Sequence, residues 1–458
     1  MTETITHSLA RAIVETPGAA IPEASFAAAR RFMLDTLAVA WAGTDAPGCR
    51  EAHALLADEG GRADSTAWGF GGGNAGSGAR MPAMSAAFIN GMTSAALDYD
   101  GIGSGASVHV NITVLPAALA MAERLHAPGK DFLAAFVIGA DITYRMAAAA
   151  SNPNEGFHYV PIYGVFGAAA ACARLMKLSV LETRHALGIA FMQACGTQQA
   201  NIDPSLSKRM MSAFAARSGV HAALLAQRGV TGPAQAIEGK FGLFNMYQSG
   251  NAEVMLDQLG SRFDNVLGSI KMYPSCGANH TSIAGTLELI RQYDLKADDV
   301  ISVDVTLPPY AVRLVGNAYD PSGDAQVAAQ FSVRYTIACL LVRRKLGLAE
   351  IQTDAARDVE INRHVGKINV HVDATQTGTR GPSVLRMRTR THGEIATVAE
   401  HVPGSLELPV SDAEVQQKFD ECLRLGVQPL DDARVTLLIQ RVRAVADLGD
   451  MSLFFNGI

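Results

Sequence analysis

A chain of 458 residues, 48% hydrophobic and only 18% charged, exceeds what one ordinary core holds, so two domains are expected. Its net charge of −6 without a basic block argues against nucleic acid or an anionic membrane as partner. Met1–His7 lacks the regions of a signal peptide, no apolar run is long and uninterrupted enough to span a bilayer, and the six cysteines form no CxxC pair, so a cytoplasmic protein with reduced thiols is expected.

The first half reads as almost wholly helical. Pro22-Glu23 opens a helix in which Phe26, Ala29, Phe32, Met33, Leu37 and Trp41 recur at helical spacing as far as Gly43. Gly71–Gly76 matches GxGxxG, but no βαβ unit surrounds it, which makes it a glycine turn rather than a nucleotide site. Next comes Asp98-Tyr99-Asp100, at the end of a helix, then a glycine-rich loop carrying His109, with a new helix expected at Leu115-Pro116. Carboxylates at a helix C-terminus oppose its dipole, so these two acids either sit in a solvated loop or serve a task other than helix stability.

Asp131, after Pro128-Gly129-Lys130, is placed to cap an apolar helix through Phe136 and Tyr144. His158 lies between a segment that cannot be regular helix and Pro161, at the mouth of the small-residue helix that Gly164 and Gly167 open. An imidazole there is placed either for structure or for acid–base chemistry on a carboxylate. Ser179–Glu182 is a capping box. Lys208 precedes a second small-residue helix, and Lys271 stands before Tyr273-Pro274 where the pattern changes. On an open surface such lysines need no account; at a cleft they would clamp carboxylates and stabilise an enolate-like intermediate.

Beyond Gly268 period-two alternation appears at 300–307, 367–372 and 385–389, with helices around 281–292 and 325–346. Ser411–Glu414, a further capping box, returns the chain to helix with Val415, Phe419 and Cys422 on one face. The fold expected is mainly α: a large helical domain from both chain ends (1–266 and 403–458) and a smaller inserted α+β lid (267–402), with a ligand cleft between them. There is no HExxH, no Cys/His cluster at metal spacing and no GxSxG elbow, so zinc, iron–sulfur and Ser-hydrolase readings lack support and no metal is expected.

The order and wording of several segments carry more. Phe32–Ala38, Phe88–Gly91 leading to Asp98-Tyr99-Asp100, His109 with Val114–Ala118, Gly156-Phe157-His158 with Gly164–Ala170, Lys208 with Ala215-Ala216, Lys271–Pro274, Pro403–Ser405 and Val410–Val415 resemble the MmgE/PrpD family from about Ile21 to the C-terminus. That family includes 2-methylcitrate dehydratase, cis-aconitate decarboxylase and iminodisuccinate epimerase. The resemblance implies a cofactor-free homodimeric enzyme acting on small di- and tricarboxylates. Its acid–base and binding residues fall on Asp98, His109, His158, Lys208 and Lys271. Three departures stand out: Gly101 and Ile102 replace a second acid and a threonine, the loop spanning 101–109 keeps only His109, and Cys276 stands where the decarboxylase has a histidine.

The expectation is therefore a lyase that abstracts or delivers a proton α to a carboxylate. His109, His158 and Lys208 are the catalytic set, and Asp98, Lys271 and Cys276 bind substrate. Dehydration of a 2-methylcitrate-like acid comes first; decarboxylation of cis-aconitate type, epimerisation of iminodisuccinate type and a catalytically silent carboxylate-binding protein are the alternatives.

Overall fold

The helix foreseen after Pro22 runs Glu23–Gly43. Both Ser-x-x-Glu boxes cap helices as read, at Val180–Phe191 and Asp412–Leu423, each serine hydroxyl accepting from the glutamate N–H while the glutamate carboxylate accepts from the serine N–H. The computed structural model describes residues 4–71, 78–103, 108–151 and 156–458, and is 57% helix and 11% strand, so the chain is mainly α. Residues 72–76 of the GxGxxG match, most of the glycine loop before His109 (104–107) and 152–155 lie outside the described residues.

The helix Tyr159–Leu175 is central: residues 160–173 are all buried, against Gly129–Ala149, Ser207–Gln227 and Asn111–Arg124. Its Gly and Ala content is what allows this. A Cβ on Gly167 would lie 2.0 Å from Thr143 Oγ1 and 2.5 Å from Gly139 O, so only glycine lets the two backbones approach. Asp412–Leu423 packs along Glu23–Gly43 and sets the last part of the chain against the first.

Four strands form one sheet in the order Gly393–Ala399, Ser383–Thr389, Val300–Leu307, Ile368–Val372; the first two pairings are antiparallel and the last is parallel. The alternation at 300–307 buries Val303, Val305 and Leu307 on one face. His280–Tyr293 lies against the two antiparallel strands Ser383–Thr389 and Gly393–Ala399. The strand Gly393–Ala399 was not foreseen: its sequence is short, half polar and begins at a glycine.

Several boundaries differ from the sequence reading. Pro161 does not delay its helix, which starts at Tyr159, because a proline in the first turn gives up an N–H that has no intrahelical partner. The helix expected at Leu115-Pro116 begins at Asn111 and carries Pro116 inside it; residues 111–123 are all buried, and that packing outweighs the local cost. Asp131 sits in the first turn of Gly129–Ala149 rather than capping it, the cap position being Pro128. The segment 325–346 is two helices, Ala325–Gln330 and Val333–Arg343, because Ser332 accepts from Tyr335 N–H and starts a new one. The first half also holds an antiparallel pair, Ser65–Gly71 with Gly78–Met81. By length and composition alone Gly129–Ala149 is apolar enough to cross a membrane, but Asp141 and Arg145 interrupt it and 89% of its apolar window is buried inside the protein.

Candidate active site

The helix Ala83–Ala96 ends at Leu97, and the next residue, Asp98, takes a left-handed backbone with φ of 49°. Aspartate is one of the few residues other than glycine that enter this region readily, and its carboxylate is held by surrounding contacts. Here they are two ammonium groups. Lys208 Nζ, on helix Ser207–Gln227, donates to Asp98 Oδ1 at 2.5 Å, and Lys271 Nζ donates to Oδ2 at 3.0 Å and to the Asp98 carbonyl at 2.8 Å. Burial pushes the Asp98 carboxyl up, but the two lysines outweigh it and hold it far below the usual carboxylate range.

Two residues on, the buried Asp100 meets His109, with Oδ2 2.6 Å from Nδ1. Burial opposes its charge, while His109 and Lys271 lower the carboxyl below its ordinary value. A carboxylate on Nδ1 fixes the ring and leaves Nε2 to exchange a proton. Between the acids and His109 stands Gly101, whose N–H donates to Asp35 Oδ2 at 3.1 Å. A Cβ at Gly101 would lie 3.1 Å from Ser269 O and 3.2 Å from the Phe32 ring, so a side chain here needs those neighbours to give by a few tenths of an ångström.

His158 occupies the N-cap of Tyr159–Leu175, its N–H donating to Gly196 O at 3.1 Å. Its Nδ1 is buried and meets no hydrogen-bond partner among the described residues. Burial, with Lys208 and His109 adding repulsion, pulls the imidazole down to about 3, so it is neutral around pH 7. Lys208 also stands 4.7 Å above the Phe331 ring. Cys276 is buried, and burial pushes its thiol up to about 11; it is a thiol rather than a thiolate nucleophile at neutral pH.

Asp98, Asp100, His109, His158, Lys208 and Cys276 all line one cavity of about 510 Å³. Lys271 is the exception. Its side chain is fully enclosed behind Asp98 and does not line the cavity, so the substrate clamp expected of it gives way to holding Asp98. Sequence reasoning also missed four charged residues. Arg313 and Arg380 line the same cavity, and Asp35 and Lys418 form a buried pair beneath it, with Lys418 Nζ bonded to Asp35 Oδ1 at 2.5 Å and to Tyr99 O at 2.8 Å. A lysine on the apolar face of Val415, Phe419 and Cys422 was the one available signal. Among the described residues no three His, Cys, Asp or Glu side chains converge as metal ligands.

Two family models match the chain, the MmgE/PrpD N-terminal domain over residues 7–254 and the MmgE/PrpD C-terminal domain over residues 273–444. The chain belongs to the MmgE/PrpD family. Its relatives include the following three. A cis-aconitate decarboxylase-like protein of Aspergillus oryzae is 26% identical over 98% of this chain and 96% of its own length. The cis-aconitate decarboxylase of Aspergillus terreus is 28% identical over 72% of this chain and 70% of its own. The human cis-aconitate decarboxylase is 30% identical over 56% of this chain and 53% of its own.

Proposed function

We propose that this protein is a lyase of the MmgE/PrpD type that exchanges a carboxylate for a proton on a small unsaturated tricarboxylate, as in cis-aconitate decarboxylation. The family match and the relatives' names support a lyase. The observation that favours decarboxylation over the dehydration first expected is the unequal pair of histidines. His109 carries a carboxylate on Nδ1, which fixes its ring for transfer at Nε2, whereas His158 is kept neutral and is a poor acid and a weak base. Dehydration needs a base for the Cα proton and an acid for the departing hydroxide. Decarboxylation needs one proton in for each CO2 out.

In this reading the C–C bond to the leaving carboxylate breaks, and its electron pair passes through the adjacent double bond to the carbon next to a second carboxylate. Lys208 stabilises the charge that develops there, and His109 Nε2 delivers the proton to that carbon. The un-ionised Cys276 and neutral His158 shape the wall beside the reacting carbons.

Incubation with cis-aconitate in D2O, followed by NMR and CO2 detection, tests this. Release of CO2 with one deuterium in the product is the expected result. Water loss from 2-methylcitrate without CO2, isotope exchange without net product, or no reaction at all would each replace the reading, with a dehydratase, an epimerase or a silent binding protein respectively.

Lys208→Ala should lower kcat/KM by the equivalent of about 2–4 kcal/mol, the usual worth of one group that stabilises developing charge. Lys208→Arg should restore little, because a planar guanidinium does not replace a point charge on a flexible stem. Steady-state kinetics checks this, with thermal unfolding measured alongside, since the loss of the Asp98 pair lowers stability less than the variant lowers catalysis; a loss of only a few-fold in kcat/KM removes Lys208 from the chemistry.

A further inference from the structure

Two lining side chains carry buried polar atoms that meet no hydrogen-bond partner among the described residues. One is His158, at Nδ1; the other is Asn201, at Oδ1 of a carboxamide in a residue only 8% exposed. An unmet buried polar group costs the fold stability, and nearly all such groups in folded proteins are met. Two of them in one cavity point to a ligand that supplies the missing partners.

Backbone bonds set both residues on the same side of that cavity. Phe157 pairs antiparallel with Thr197, His158 N–H donates to Gly196 O at 3.1 Å, and Gln198 N–H donates to Gly156 O at 3.1 Å. Asn201 follows on the single turn Gln199–Ile202, its N–H bonded to Gln198 O at 2.9 Å. Neither side chain brings a full charge, since Asn201 is an amide and the His158 imidazole is neutral around pH 7. Lys208 lines the cavity too, but its ammonium is directed at Asp98. Beyond His158, Val160 joins Ala95 and Ile112 in a small apolar cluster on the cavity wall, so few polar groups compete for a ligand there.

Uncharged donors suit one part of a decarboxylation in particular. A carboxylate that departs as CO2 passes its charge into the carbon skeleton. A cation bonded to it would stabilise the ground state more than the transition state and slow the step, whereas N–H donors without full charge orient it and let it go. We propose that Asn201, with His158 on the same side of the cavity, binds the third carboxylate of a tricarboxylate, the one released as CO2. This rests on the decarboxylase reading above and deepens it. The carboxylate next to the carbon that takes the proton lies toward Lys208 and His109. The departing one lies against the Asn201 carboxamide, its oxygens accepting from Nδ2 and from the ring N–H of His158.

The test is equilibrium binding, by calorimetry on the full-length protein, of two non-reacting probes that differ by one carboxylate: propane-1,2,3-tricarboxylate and methylsuccinate. Wild type should bind the tricarboxylate more tightly. Asn201→Leu, close in size but without hydrogen bonds, should weaken the tricarboxylate roughly 10- to 100-fold, the usual range for a lost hydrogen bond to a charged group, and change methylsuccinate by less than about three-fold. Asn201→Ala should act the same way and carries the test if the leucine variant fails to fold. Equal weakening of both probes, no weakening of either, or a wild type without preference for the tricarboxylate overturns the assignment. Binding needs no turnover, so the two readings fail separately. Selective loss with no CO2 released from cis-aconitate sinks decarboxylation alone, and unselective loss with CO2 release intact sinks the role given to Asn201 alone.

Discussion

Replacing His109 with alanine should reduce kcat by about 10²–10⁴ while leaving the protein folded, the range expected for a positioned proton carrier. The effect should be large because the site offers no equal substitute. His158 is held neutral, with its imidazole pulled down to about 3, and the Cys276 thiol is pushed up to about 11. Asp100→Asn should cause a loss in the same range, because the amide cannot stabilise a protonated ring across the 2.6 Å contact and so no longer fixes which nitrogen carries the exchangeable proton. The two residues act as a unit. The double variant should therefore lose no more than His109→Ala alone, a strong departure from additivity. Rate measurements on the three variants, with binding of propane-1,2,3-tricarboxylate as a control for an intact cavity, decide the matter. If the two losses multiply, Asp100 works independently of His109, and if His109→Ala keeps near-full turnover the proton comes from elsewhere.

The parts of this site that could be read in advance are those whose signal is local. His158 stands at a helix start, and the signals for it, Pro161 in the first turn and the small-residue run from Gly164, lie in adjacent sequence. The capping boxes at Ser179 and Ser411 are four-residue patterns, and both hold. Strand Val300–Leu307 announces itself by alternation. What stayed hidden depends on contacts between distant segments. Whether the Lys271 ammonium faces a ligand or another side chain is decided by Asp98, 173 residues away. Arg380 lies among Gly378, Thr379, Gly381 and Pro382, a loop with no periodicity, and only the fold brings it to Gly103, 277 residues away. Pro116 was read as a helix start because local cost argues for that; burial of the whole helix Asn111–Arg124 overrides it. Gly101, where the resemblance expects an acid, packs closely against Ser269 and Phe32, a contact between segments far apart in sequence.

Lys418→Met should destabilise the protein by about 3–5 kcal/mol, the usual consequence of leaving one member of a buried ion pair alone. Lys418 and Asp35 are both almost wholly enclosed and lie 383 residues apart in sequence, joined where helix Asp412–Leu423 packs along Glu23–Gly43. The ammonium also donates to the Tyr99 carbonyl and lies 4.1 Å over the Tyr99 ring, while Asp35 accepts from Gly101 N–H. Tyr99 and Gly101 flank Asp100, so the pair grips the backbone on both sides of the residue that orients His109. Burial already raises the Asp35 carboxyl above its ordinary value, and Lys418 is the group that opposes this. Without it Asp35 would take up a proton, and its hydrogen bond from Gly101 would weaken. A compensating variant separates stability from positioning. Lys418→Met with Asp35→Leu removes both charges, so denaturant unfolding should show most of the lost stability recovered, because apolar replacement of a buried pair is often neutral. Turnover should not recover with it, since Gly101 N–H then has no carboxylate to donate to and the Tyr99 carbonyl loses the Lys418 ammonium. Unfolding of Lys418→Met within about 0.5 kcal/mol of wild type, well inside the range of an ordinary surface change, would show that the pair does not brace the fold. Full turnover in the double variant would show that the backbone around Asp100 holds its course without it.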